Sequence, residues 1–167
     1  MLTRRSIQGA LYLALALTAS CGTEVIVPDV ELVRMSVSLS TRDLVVGDTV
    51  EIRVVGTNPT TRTLRFTTHA CAAFIVRIRF SADVVVFQHP RFCNDIGSER
   101  VLEPGEAIEE TVLFDGTGSP IGFRDENGDE VILRMAAGTY TVVAAPEGAP
   151  DNQSEPVELR IRTWRLP

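Results

Sequence analysis

Phe74-Ile75-Val76-Arg77-Ile78-Arg79-Phe80 decides the fold class. Apolar side chains recur at every second position from Phe74 to Phe80, with arginines at 77 and 79 between them. A period of two places alternate side chains on opposite faces of an extended chain. The segment therefore reads as a strand with Phe74, Val76, Ile78 and Phe80 turned to a core and Arg77 and Arg79 turned outward. A partner follows after Ser81-Ala82-Asp83, where Val84 to Phe87 is rich in β-branched and aromatic residues.

The same alternation repeats in both directions along the chain. Val33, Met35, Val37 and Leu39 are separated by polar residues. Thr49 to Val55 directs Val50, Ile52 and Val54 one way, and Leu64 and Phe66 mark another strand beyond Asn58-Pro59. Glu103-Pro104-Gly105-Glu106 has Pro at the second place of a turn and leads into Ile108, Glu110, Val112 and Phe114 on one face, where Glu110 interrupts the apolar series. Asn127-Gly128 is the pair favoured in type I′ hairpin turns, and the spacing predicts that it joins Phe123-Arg124 to Val131-Ile132-Leu133. Thr139 to Ala145 and Val157 to Ile161 complete about nine short strands with Pro and Gly between them. No stretch carries a helical period. The expected fold is an all-β, immunoglobulin-like antiparallel two-sheet sandwich.

The chain before the first strand has a different character. Residues 1–20 combine Arg4-Arg5, an apolar run from Ala10 to Leu17 and the small residues Thr18-Ala19-Ser20, the three parts of a secretory signal. The run falls short of the about 20 residues that a bilayer core demands, so a cleaved leader is favoured over a retained span. Thr18-Ala19-Ser20-Cys21 resembles a bacterial lipobox, although Thr stands where Leu is favoured. That resemblance implies that Cys21 is acylated and becomes the first residue after cleavage, with two or three acyl chains holding the protein on a membrane. The next residue is Gly22 rather than the Asp that retains enteric lipoproteins at the inner membrane, which points to an outer membrane if the host has one. The expected organisation is a signal peptide at 1–20, an acylated tether at 21–29 and a single sandwich domain at 30–167.

Composition agrees with one folded domain. Of 167 residues, 44% are hydrophobic and 23% charged, which argues against disorder and against a polytopic membrane protein. The formal charge is -6, and all sixteen basic residues are arginine. Removal of Arg4 and Arg5 makes the charge more negative still, which disfavours nucleic acid as a partner. The expected partners are the membrane, through the acyl chains, and another envelope protein.

Export to an oxidising compartment sets how Cys71 and Cys93 are read. As a bridged pair they close a loop of about 23 residues, worth about 3 kcal/mol in the chain-entropy model. The alternative is a metal shell, because His69 lies two residues before Cys71 and His89 four before Cys93; neither spacing is diagnostic, and the compartment favours the disulfide. A second candidate for metal is the run Asp125-Glu126-Asn127-Gly128-Asp129-Glu130, which places oxygen ligands Asp125, Asn127 and Asp129 at alternate positions. Its glycine falls at the fourth place rather than the sixth of a calcium loop, and a solvated hairpin tip explains the run equally well. With only two histidines and no nucleophile elbow around any serine, no catalytic constellation is expected, and no cofactor. Asn152-Gln153-Ser154 fits the glycosylation acceptor pattern by chance.

Three segments in order resemble the BsuPI-type intracellular proteinase inhibitor domain, a bacterial immunoglobulin-like sandwich. They are Val50 to Thr60 with Thr63-Leu64-Arg65-Phe66 behind it; Leu102 to Glu106 followed by Phe114-Asp115-Gly116; and Ala137-Gly138-Thr139-Tyr140-Thr141-Val142. The resemblance implies a sandwich and offers proteinase inhibition as an alternative to a non-catalytic protein-binding or structural module, with metal binding third. The chain departs from the family in lacking its central tryptophans, Trp164 being its only one, and in adding the Cys71/Cys93 pair and a longer segment from Thr117 to Met135.

Overall fold

The computed structural model describes residues 28–68, 71–82, 84–90, 97–119, 124–129 and 131–162. The regular secondary structure of its described part is almost entirely strand, as the alternation requires. In chain order the strands are β1 (Arg34–Leu39), β2 (Asp43–Val45), β3 (Val50–Thr57), β4 (Leu64–Thr68), β5 (Phe74–Ser81), β6 (Val84–His89), β7 (Ser98–Leu102), β8 (Ala107–Phe114), β9 (Thr117–Gly118), β10 (Leu133–Arg134), β11 (Gly138–Pro146) and β12 (Val157–Arg162). A single turn of 3-10 helix, Asp29–Leu32, precedes them.

Two sheets form the sandwich. One has the order β1-β3-β8, the other β2-β12-β11-β5-β6, and two short ladders, β4-β7 and β9-β10, flank them. Pairing is antiparallel except where β2 runs parallel to β12. The chain therefore changes sheets between Leu39 and Asp43, closing the edge of the larger sheet beside β12. Each sheet turns one face inward. Val50, Ile52 and Val54 from β3 and Val112 and Phe114 from β8 meet Phe74, Val76 and Ile78 from β5 and Tyr140, Val142 and Ala144 from β11. Phe114 meets Phe87 edge-on, with ring centroids 5.0 Å apart. Burying side chains of this size stabilises by about 1.5–3 kcal/mol each.

Tyr140 carries a feature specific to this class of sandwich. Its hydroxyl donates to the Ala136 carbonyl, four residues upstream, at 2.8 Å. A tyrosine at the start of the penultimate strand that bonds back across the preceding corner is the tyrosine corner of immunoglobulin-like domains.

Several local expectations need correction. Phe80 does not face the core: it is 60% exposed, although its ring still packs against Tyr140 at 5.6 Å. The cause is a register shift, since Arg79 pairs with Val85 and Ser81 with Val84, which leaves Phe80 unopposed and breaks the alternation. Arg77 and Arg79 do lie on the outer face, but half-buried rather than solvated. Asn127-Gly128 is not the centre of a two-residue turn. Gly128 donates to the Asp125 carbonyl at 3.0 Å and occupies the fourth place of that turn at φ +83°. Leu133 pairs with Gly118 in β9 rather than with the residues before the turn. Asp29, read as the end of the tether, is part of the folded domain, where its carboxylate accepts from the Arg65 amide at 2.7 Å.

Candidate functional site

The strands define two ends. At the N-terminal end lie Pro28 to Leu32, the end of β3, the starts of β5 and β8 and the loop after β11. Register places Arg34 opposite Thr57 and Thr57 opposite Ala107, and a side chain added at Gly56 would overlap the ring of Phe74. The far end gathers the β5–β6 turn, the end of β8, β9, β10 and the corner at Ala136.

Of the residues singled out in the sequence, Cys21, His69 and Cys93 lie outside the described residues. Cys71 sits at the N-terminal end, three residues before β5, as a half-cystine and not a free thiol. His89 ends β6 opposite Val76 and is exposed. Among the described residues no group of three or more His, Cys, Asp and Glu side chains is close enough to hold a metal ion, and no helix is long and apolar enough to cross a membrane.

The acidic run at 125–129 is organised by its own turn. One oxygen of Asp125 accepts from the amides of Asn127, at 2.9 Å, and Asp129, at 2.8 Å. Arg124 donates to the Gly128 carbonyl at 2.7 Å, which brings a fixed positive charge into the same turn. The carboxylate caps a turn, which supplies a structural reason for the pattern.

Three polar side chains that sequence reading left without a role hold the N-terminal end together. Asn58 is fully buried. Its amide nitrogen donates to the carbonyls of Arg62, at 2.8 Å, and Leu102, at 2.9 Å, while its side-chain oxygen accepts from the amide and hydroxyl of Thr60. Its backbone joins the turn before β8: the Asn58 amide donates to Glu106, and Gly105 donates to the Asn58 carbonyl, both at 2.9 Å. Glu110 crosses between the sheets and accepts from the amides of Ala73, at 2.6 Å, and Phe74, at 3.2 Å. That contact explains a carboxylate on the otherwise apolar face of β8. Asn152 donates to the carbonyls of Val30, at 3.3 Å, and Val33, at 2.8 Å, so its nitrogen serves as a clamp on the N-terminal segment. For Glu110 the signal was a carboxylate interrupting an apolar pattern, whereas Asn58 and Asn152 stand in polar turn and loop sequence with no such signal; the partners, 36 to 122 residues away for Glu110 and Asn152, were not readable locally.

The electrostatic features are local. The Arg65 amide and then the Arg62 guanidinium hold the Asp29 carboxyl below the usual carboxylate range. The Thr117 hydroxyl and amide do the same for Asp115. Burial raises the Tyr140 phenol.

No family model and no curated protein matches the chain. Solved structures with a similar arrangement include a β-glucosidase from Erythrobacter marinus, 15% identical with a TM-score of 0.46, of which the chain spans 16% while 78% of the chain is covered. An alkylpurine DNA glycosylase from Pseudomonas fluorescens is 9% identical with a TM-score of 0.45, covering 78% of this chain and 30% of its own. Macromomycin is 11% identical with a TM-score of 0.37, covering 78% of this chain and 99% of its own. Likeness at this level carries no functional argument.

Proposed function

We propose that the chain is a lipid-anchored protein of the bacterial cell envelope whose sandwich serves as a non-catalytic protein-binding or structural module. In this reading Cys21 is acylated after removal of residues 1–20, Cys71 pairs with Cys93, and the acyl chains hold the domain on a membrane, the outer one where the host has two. The observation that carries the module reading is the distribution of exposed apolar side chains. Phe80, Val84, Leu113, Ile132 and Leu133, five of the six large apolar residues left exposed among the described residues, lie on strands or turns of the far end, away from Pro28. A domain tethered through its N-terminal end presents those residues away from the bilayer, where apolar surface favours contact with another protein.

The segments resembling the BsuPI-type domain fit the same reading. Asn58 and the Glu103–Glu106 turn are hydrogen-bonded to each other, and Gly138-Thr139-Tyr140 forms the tyrosine corner. These residues have structural work to do in a sandwich, so the resemblance bears on fold more than on inhibition of a proteinase.

Two measurements test the proposal. Intact mass of the membrane-extracted protein should fit cleavage before Cys21 plus acyl chains, and two cysteines should resist labelling until reduction. A photo-crosslinking side chain at Ile132 should capture a discrete envelope protein in cells, while one at Glu31 should not. Unacylated protein in the soluble fraction would sink the anchor, and equal capture from both positions would sink the far-end docking.

A further inference from the structure

We infer that the outer face of the five-stranded sheet binds an oxyanion, a carboxylate or phosphate group, at Arg79, with Arg77 as the neighbouring cation outside the cleft. The two arginines leave β5 on the same face, two residues apart. Register puts Arg79 opposite Thr141 and Arg77 opposite Val143 in β11, and Arg77 opposite Gln88 in β6. Five other arginines, at 53, 62, 65, 160 and 162, each form an ion pair with a carboxylate. Arg77 instead donates from Nε to the Gln88 side-chain oxygen at 3.1 Å, a neutral acceptor. Arg79 Nε is shielded from water and has no acceptor among the described residues.

An unpaired donor on a cation, withdrawn from water, costs more than a neutral one. Two guanidinium groups on one face raise that cost by repulsion, and burial together with the Arg79 charge lowers the Arg77 pKa. The outward carboxylate in the same cross-strand row, Glu158, stands two strands from Arg79 and is bonded to Arg160 at 2.8 Å. The missing counter-charge is therefore not supplied by that row.

Beside Arg79 the surface forms a cleft of about 340 Å³, lined also by Ser81, Thr141, Gln153 and Ser154. Ser81 and Thr141 bring hydroxyl donors to the same opening, and the Gln153 amide, one of whose N–H groups goes to the Pro150 carbonyl at 2.9 Å, has a second N–H to offer. A planar or tetrahedral oxyanion accepts from a guanidinium fork and from such donors together. The overall charge of -6 gives no long-range attraction for anions, so recognition here is short-range and confined to the cleft.

The test uses the purified full chain, with inorganic phosphate and acetate as separate probes and chloride holding ionic strength constant. Arginine side-chain NMR should show a saturable shift of the Arg79 Nε–H resonance, with backbone changes confined to β5, Thr141 and Ser81. A tighter response to phosphate than to acetate identifies a phosphate-bearing ligand, and the reverse a carboxylate. Arg79→Gln should weaken binding at least tenfold, while Arg160→Gln, outside the cleft, should leave it unchanged. Absence of a saturable shift at Arg79 with both probes overturns the inference in the unaltered protein, whether or not the variant folds. Equal binding by folded Arg79→Gln overturns it as well.

Discussion

Asn58 stands at the start of the loop that links β3 to β4, yet it is as buried as any core valine. Each polar atom of its side chain has partners, so its burial carries no unmet desolvation cost. Asn58→Ala removes the bracket and leaves the Arg62 and Leu102 carbonyls without their donor. Urea unfolding should show a loss of about 3 kcal/mol, since each buried unsatisfied group costs about 1–3 kcal/mol. A change smaller than about 1 kcal/mol would mean that water replaces the amide, and the bracket would not be structural. Gly56, two residues earlier, meets the same end of the core from the other side. Its missing side chain is what lets β3 approach the ring of Phe74, so the glycine in the segment is a packing requirement and not a turn.

Elements here are joined by single contacts as much as by ladders. The 3-10 turn at Asp29–Leu32 makes no ladder; Asp29 ties it to the Arg65 amide and the Arg62 guanidinium, and Asn152 holds its far side. Because the Asp29 carboxyl is held below its ordinary range, its contribution to stability is present above the unfolded value near pH 4. It is lost as pH falls through the lower folded value. Glu109, beside Arg53, and Asp115 titrate in the same sense, so the test is a difference. Urea midpoints measured between about pH 6 and pH 2 should fall more for the unaltered protein than for Asp29→Asn. Parallel profiles would show that the clamp does not depend on charge. In the β5–β6 pair, the register shift gives Phe80 to the surface and places Val86 opposite no residue of β5. The carbonyl of Val86 then lies against Gly118, where a side chain would collide with it, which brings β9 beside the open edge of the larger sheet.

At the scale of the molecule, the N-terminal end is cross-braced by Asn58, Glu110, Asn152 and the half-cystine Cys71, while the far end carries exposed apolar side chains. If Cys71 pairs with Cys93, reduction should lower unfolding stability by about 3 kcal/mol, the chain-entropy value for a loop of about 23 residues. The Cys71→Ser/Cys93→Ser variant should match the reduced protein, and neither treatment should alter binding at Arg79. Equal stability before and after reduction would remove the proposed pair from the framework of the fold.

The all-β class and most strand positions were legible in the residues alone, because a period of two is a local property that burial on one face imposes on every strand. The same period also placed the inward faces of β3 and β5, where apolar residues at 50, 52, 54, 74, 76 and 78 are buried as the alternation requires. The short strands β2, β7 and β9 emerged from the folded arrangement, because their pairing depends on distant partners rather than on pattern. The outward turn of Phe80, set by register with β6, and the roles of Asn58 and Glu110 emerged in the same way. The condition of Arg77 and Arg79 belongs with these. An alternating strand marks both as outward, but whether an outward arginine finds a carboxylate depends on which strands flank it. That neighbourhood is fixed by sheet order, and no local stretch of chain encodes it.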